Sequence, residues 1–102
     1  MSLYSIAIHG GAGTILKEEL TPELERDFKE ALDEGLMAGY ALLEKGGSAI
    51  DAVYRATVVF EYNPLLNAGR GSVFNKEGKH EMDAAIMDGR TLDAGAVACV
   101  YN

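Results

Sequence analysis

Residues 63–74 read NPLLNAGRGSVF, and five residues further on residues 80–89 read HEMDAAIMDG. In the first stretch Pro64 disfavours helical geometry at the residue before it, so a helix arriving from upstream should stop near Asn63. Leu65 and Leu66 are suited to anchoring the loop that follows, and its glycines permit unusual backbone angles. Such a loop can turn several carbonyls inward, which suits a hard cation such as sodium, potassium or calcium. By composition alone, an ordered connection between a helix and a strand is the favoured reading. The second stretch has strand character: Met82, Ala84 and Ile86 alternate onto one face, and Glu81, Asp83 and Ala85 onto the other. Ser72–Asn75 and Lys79–Asp88 flank a turn signal at Glu77-Gly78 and are expected to pair as a hairpin. A further turn at Asp88-Gly89 leads into a last strand, Ala94–Tyr101.

Upstream, the pattern becomes helical. Thr21-Pro22 offers an N-cap followed by proline at the first helical position, with Glu23 and Glu25 near the positive end of the dipole. Leu24, Phe28, Leu32, Leu36 and Leu43 give that helix an apolar face, and Gly46-Gly47 ends it. Gly35 and Gly39, four apart, cost helix propensity and point to close packing against a neighbour. Ser48-Ala49-Ile50-Asp51 has the form of a capping box with Asp in place of Glu, so a second helix begins there. Its expected apolar stripe is Ala49, Val53, Ala56 and Phe60. At the N-terminus Leu3–His9 is a short apolar run entering glycines, the pattern of a buried strand. The predicted order is therefore β, two helices, then three β segments, with the last hydrophobic strand left as an uncovered edge.

Two motifs invite a chemical reading and resist it. The loop His9-Gly10-Gly11-Ala12-Gly13 resembles a phosphate cradle, yet it has neither G-x-G-x-x-G spacing nor a following Lys-Ser/Thr. A structural turn, or a backbone wall of a small-molecule site, fits it better. His80, Glu81, Asp83 and Asp88 contain metal-ligand types, but on a strand His80 points away from Glu81 and Asp83. Asp88 before Gly89 suits a turn that bonds its own backbone. Serine and cysteine hydrolase arrangements lack support: there is no G-x-S-x-G, and His9 and His80 are the only histidines.

Composition sets the limits. With 102 residues the chain suits one domain, and 9 basic against 16 acidic residues give a net charge of −7. That charge, with no basic run, argues against a nucleic-acid partner and leaves room for a small neutral or zwitterionic ligand. The single cysteine, Cys99, excludes an internal disulfide and is expected as a buried strand thiol. No segment has the length and apolarity of a membrane span or a secretory leader, so a cytoplasmic setting is the default expectation.

Taken together, HGGAG after the N-terminal run, two helices, NPLLNAGRGSVF, and HEMDAAIMDG with AGAVA resemble the plant-type asparaginase/isoaspartyl peptidase family over Ile6 to about Val100. Taspase-like proteases and glycosylasparaginases share parts of this pattern; HGGAG together with NAGRGS favours the asparaginase branch. The resemblance implies an N-terminal-nucleophile hydrolase with an αββα sandwich, residues 1–102 being an incomplete, N-terminal (α-subunit) portion of that single domain. It implies a precursor that cuts itself before a threonine, whose hydroxyl then attacks L-asparagine or a β-aspartyl dipeptide. The freed α-amino group, with a reference pKa of about 8, serves as base. An acyl-enzyme forms and water releases aspartate.

The resemblance also assigns residues and partners. Asn67 is implied to lie beside the nucleophile, and Gly10 and Gly11 to form the glycine loop near it. Phe60, Glu61, Asn63, Leu66, Ala68 and Arg70 are implied to hold a structural sodium ion through backbone carbonyls, with no organic cofactor. The nucleophile itself is not expected among Thr14, Thr21, Thr57 and Thr91. A cut at Gly13-Thr14 would remove the first strand, and the family's junction lies much later. The implied partner is therefore a β subunit carrying the nucleophile, in a dimer of αβ heterodimers. The alternative is a diverged or truncated chain without activity of its own.

Overall fold

The computed structural model describes residues 3–11, 18–66 and 81–101. These form an α+β arrangement: α1 (Pro22–Glu44), α2 (Ala49–Glu61), β1 (Glu81–Met87) and β2 (Ala94–Tyr101).

Local chemistry sets the helix ends. Thr21 is extended (φ −76°, ψ 159°), and its side-chain oxygen accepts from the amide of Leu24 at 3.0 Å. Pro22 costs nothing there, because the amide it lacks would have been unpaired in the first turn. At the other end Gly46 adopts φ +84°, a conformation that penalises any side chain. Its amide donates to the Leu43 carbonyl at 3.0 Å, and the Gly47 amide donates to that of Leu42 at 2.8 Å. This paired closure is a Schellman motif, and it satisfies two carbonyls that the helix leaves open. Ser48 then caps α2 in the same way as Thr21, accepting from the Asp51 amide at 3.1 Å.

The two helices meet along a seam of small residues. Ala31, Gly35 and Gly39 are buried on α1, and Ala52 and Ala56 on α2. A Cβ on Gly39 would lie 2.9 Å from the Ala52 carbonyl oxygen and 2.7 Å from Cδ1 of Ile6, while one on Gly35 would overlap the Phe60 ring. The close approach expected from Gly35 and Gly39 is thus present. The expected stripe on α2 is rotated, however: Ala52 and Ala56 are buried, whereas Val53 is 42% exposed. At Gly39 the facing atoms are the Ala52 carbonyl oxygen and the Ala56 Cβ, so the two backbones meet through alanines there and the valine falls on the flank.

The N-terminal run does not form the predicted strand. Residues 3–11 pair with no strand among the described residues. The segment instead docks by side chains, with Ile6 against Gly39 and the Tyr4 ring edge-on to Tyr40 at 5.4 Å. A strand needs a ladder partner, and among the described residues β1 and β2 pair with each other alone.

That pairing is antiparallel, from Glu81 opposite Tyr101 to Met87 opposite Ala94. The register shifts between Met82, opposite Val100, and Ala84, opposite Val97. One strand therefore spends Ala98 and Cys99 where the other spends Asp83, which is a β-bulge. Cys99 takes φ +55° within it, and its amide donates to Oδ1 of Asp83 at 2.8 Å. The loop between the strands closes on Asp88. The Asp88 amide donates to the Asp93 carbonyl at 2.9 Å, and its carboxylate accepts the Arg90 amide at 2.9 Å. Asp88 thus bonds its own turn, as its position before Gly89 predicts. Cys99 is exposed, contrary to the expected buried thiol, because the hairpin faces carry no covering layer among the described residues. The hairpin expected from Ser72–Asn75 falls outside the described residues.

Little of this assembly is closed. Among the described residues the buried apolar side chains are Ala31, Ala52, Ala56 and Leu66, whereas Met37, Tyr54, Met87 and Val97 are each at least half exposed. The radius of gyration is 15.4 Å, against about 13 Å for a compact domain of this size.

Candidate active-site wall

Two loops singled out in the sequence converge on one stretch of α1. A Cβ on Gly10 would sit 3.0 Å from Cδ2 of Leu32, so the glycine loop passes close over that leucine. One turn further along α1, Gly35 lies under the ring of Phe60, where the loop after α2 begins. Positions three apart on a helix are neighbours on its surface, so Leu32 and Gly35 bring Gly10 and Phe60 to the same side of the helical pair. The alanine-glycine seam makes this possible by letting the two backbones approach.

The glycine loop has a defined internal bond. The Gly11 amide donates to Nδ1 of His9 at 3.0 Å, and Gly11 takes φ +112°. That amide is engaged by the imidazole, so it is not an open donor for an anion, which weakens a phosphate reading further. Sequence reasoning found the glycines and missed the histidine. The signal was its position two residues before Gly11, the spacing at which short polar side chains bond the backbone.

The loop after α2 is turned by its own amides. Tyr62 donates to the Val58 carbonyl at 3.2 Å, and Asn63 to that of Phe60 at 3.1 Å. Oδ1 of Asn63 accepts the Leu65 amide at 3.0 Å, and its carbonyl accepts the Leu66 amide at 3.2 Å. Of the two leucines expected to anchor the loop, Leu66 is buried at 8% exposure, whereas Leu65 is 37% exposed. Of the residues implied to hold sodium, Phe60, Glu61, Asn63 and Leu66 are described, whereas Ala68, Arg70 and Asn67, the residue implied to lie beside the nucleophile, lie outside the described residues. The donor set fits a hard cation in kind. Carbonyl oxygens have two lone pairs, so that of Asn63 retains capacity after accepting the Leu66 amide. Among the described residues, no backbone amide is directed at the carbonyls of Glu61 or Leu66.

The threonines that are described have structural roles or none evident in chemistry. Thr21 caps α1, and Thr91 accepts the Asp93 amide at 3.2 Å in the hairpin loop. Thr57 lies on α2 beside a groove of ≈ 760 Å³ between that helix and the hairpin. Thr14 falls outside the described residues. The Asp83 carboxylate, one of the candidate metal ligands, is bonded to the Cys99 amide. No helix among the described residues is long and apolar enough to cross a membrane.

Comparison with known proteins gives this wall its context. The model of the asparaginase family matches residues 2–102. The chain is 55% identical over 95 residues to an isoaspartyl peptidase/L-asparaginase of Danio rerio, covering 93% of this chain and 29% of that protein. It is 54% identical over 99 residues to a plant-type L-asparaginase of Pyrococcus furiosus, covering 97% of this chain and 31% of the other. Against an isoaspartyl peptidase of Salmonella typhimurium it is 50% identical over 95 residues, covering 93% and 30% respectively. The chain thus spans about three-tenths of the length of these curated relatives, at their N-terminal part. With the family pattern running through both loops and nearly every residue between and around them, this chain belongs to the asparaginase family.

Proposed function

We propose that this chain is the α-subunit portion of an autoprocessing threonine amidohydrolase that acts on L-asparagine and on β-aspartyl dipeptides, releasing L-aspartate. The observation that carries the reading is identity of about half over almost the whole chain to relatives named isoaspartyl peptidase or L-asparaginase. The chain's own contribution is a wall: Gly10 and Gly11 on one side and the loop from Phe60 through Asn67 on the other, both braced by α1. Asn67 positions the nucleophile. Phe60, Glu61, Asn63, Leu66, Ala68 and Arg70 hold a sodium ion by their carbonyls, which stiffens the loop carrying Asn67.

The nucleophilic threonine belongs to a β subunit outside these residues. Thr21 and Thr91 are engaged in backbone bonds, and neither lies in the two loops. The exposed apolar faces of α2 and of the hairpin suit burial against that subunit. The assembled enzyme is a dimer of αβ heterodimers in a cytoplasmic setting. Intact-mass measurement on the complete protein tests self-cleavage: two fragments are expected, the second beginning with threonine. A single uncut chain with full activity would reject the scheme.

A further inference from the structure

The loop that joins β1 to β2 is built around one peptide link, Asp88-Gly89. The Asp88 side chain folds back over that link, because its Oδ1 accepts the Arg90 amide, two residues on, at 2.9 Å. Its main-chain carbonyl accepts the Leu92 amide at 2.7 Å, and its own amide donates to the Asp93 carbonyl at 2.9 Å. Leu92 reaches that carbonyl from φ +64°, a conformation that strains a residue with a side chain. Asp88 thus has a backbone donor on each of its two carbonyl groups, that of the side chain and that of the main chain. Between the two stands the nitrogen of Gly89, an exposed residue with no side chain to shield it. Asp83 gives the contrast within the same hairpin. Its Oδ1 accepts the Cys99 amide on the facing strand, so its carboxylate is engaged across the ladder.

We propose that Asp88 is a self-modification site, at which the Asp88-Gly89 link rearranges through a cyclic imide to an isoaspartyl link. In the first step the Gly89 nitrogen bonds to Cγ of Asp88. One carboxyl oxygen leaves as water, carrying the amide hydrogen and a proton from solution. In the second step water adds to one of the imide carbonyls. Attack at the former main-chain carbonyl breaks its bond to the Gly89 nitrogen and leaves the chain running through Cγ. Attack at Cγ restores aspartate. A water leaves and a water returns, so the rearranged chain keeps its mass and needs no oxidant or partner. Negative charge gathers on the oxygen of whichever carbonyl is attacked, and a donor already placed there stabilises it. The Arg90 amide serves the closing step, and the Leu92 amide serves the opening step that yields the new link. The isoaspartyl link puts an extra carbon into the main chain, which spoils the spacing of a loop closed on Asp88. The site uses none of the residues proposed for the active-site wall, so it stands apart from that activity.

Ageing the 102-residue chain in neutral buffer made with heavy-oxygen water tests this, because every passage through the imide leaves a heavy oxygen on the aspartate. Digestion in ordinary water with a lysine-specific protease then releases residues 80–102 as one peptide, which holds Asp83, Asp88 and Asp93. Electron-transfer fragmentation locates the label and separates isoaspartate from aspartate. Label and isoaspartate are expected at position 88, severalfold above position 83. Arg90→Pro removes the donor to Oδ1 and should slow the labelling severalfold. Should that variant fail to fold, the parent chain aged in urea takes its place, since unfolding removes the same donor and should slow labelling alike. Position 88 unlabelled, positions 83 and 88 labelled equally, or a rate unchanged by loss of the Arg90 donor would each overturn the proposal.

Discussion

The ring of Phe60 on α2 occupies the space that a Cβ on Gly35 of α1 would need. This one contact joins the helical seam to the start of the loop proposed to hold sodium, so it links packing to the proposed site. Alanine at position 35 would gain about 1 kcal/mol of helix propensity. Overpacking costs about 1–3 kcal/mol, and here the obstacle is a half-buried ring. Gly35→Ala is therefore expected to destabilise, and Phe60→Leu to restore part of the loss. Urea melts of both single variants and the double variant check this, and additive effects would show that the two residues are not coupled.

Gly39→Ala should be worse than Gly35→Ala. The obstruction at position 39 is the Ala52 carbonyl, which is backbone, at 2.9 Å. A side chain can rotate aside, whereas a carbonyl can yield only by moving its helix. A Gly39→Ala protein with a urea midpoint above that of Gly35→Ala would contradict the packing described.

The caps should matter more than the visible ion pair. Thr21→Ala and Ser48→Ala each remove an acceptor from a helix N-terminus and should cost about 1 kcal/mol. Lys29→Ala should cost no more than about 0.5 kcal/mol, because the Lys29 and Glu25 side chains are 74% and 51% exposed. Thermal melts at low and high salt separate the two classes, since the capping bonds respond little to ionic strength.

Sodium should stabilise the protein. Replacing it with tetramethylammonium, too large for a ring of carbonyls, is expected to lower the melting midpoint. At sodium a hundredfold above its dissociation constant the loss is about 2.7 kcal/mol. An unchanged midpoint would remove the ion from the loop.

The parts that were legible in the sequence are the local ones. Thr21, Ser48 and Gly46 act within one turn of themselves, so their residue types suffice to place both helices. Gly35 and Gly39 announced a close neighbour, and it is there. What failed depended on partners distant in sequence. The stripe on α2 had Val53 in place of Ala52, because only the glycine seam opposite decides which small residue faces inward. Leu3–His9 has the composition of a strand and finds no ladder partner among the described residues. Cys99 sits in an apolar run, but a run cannot report that its faces lack cover among the described residues or that a bulge turns it to φ +55°. The family pattern implies a site at Gly10, Gly11 and residues 60–66, and the packing brings Gly10 and Phe60 to the same side of the helical pair. The bond from the Gly11 amide to His9 was not read, although the histidine stands two residues before that glycine.

Ammonia release from L-asparagine tests most directly whether this chain is a wall without a nucleophile. The assay compares the isolated 102-residue chain with a chimera in which it replaces the matching N-terminal 31% of the Pyrococcus furiosus plant-type L-asparaginase. The chain alone should release none, and the chimera should cleave itself and release ammonia. Ammonia from the purified chain alone would contradict this reading, since a nucleophile would then lie within these residues.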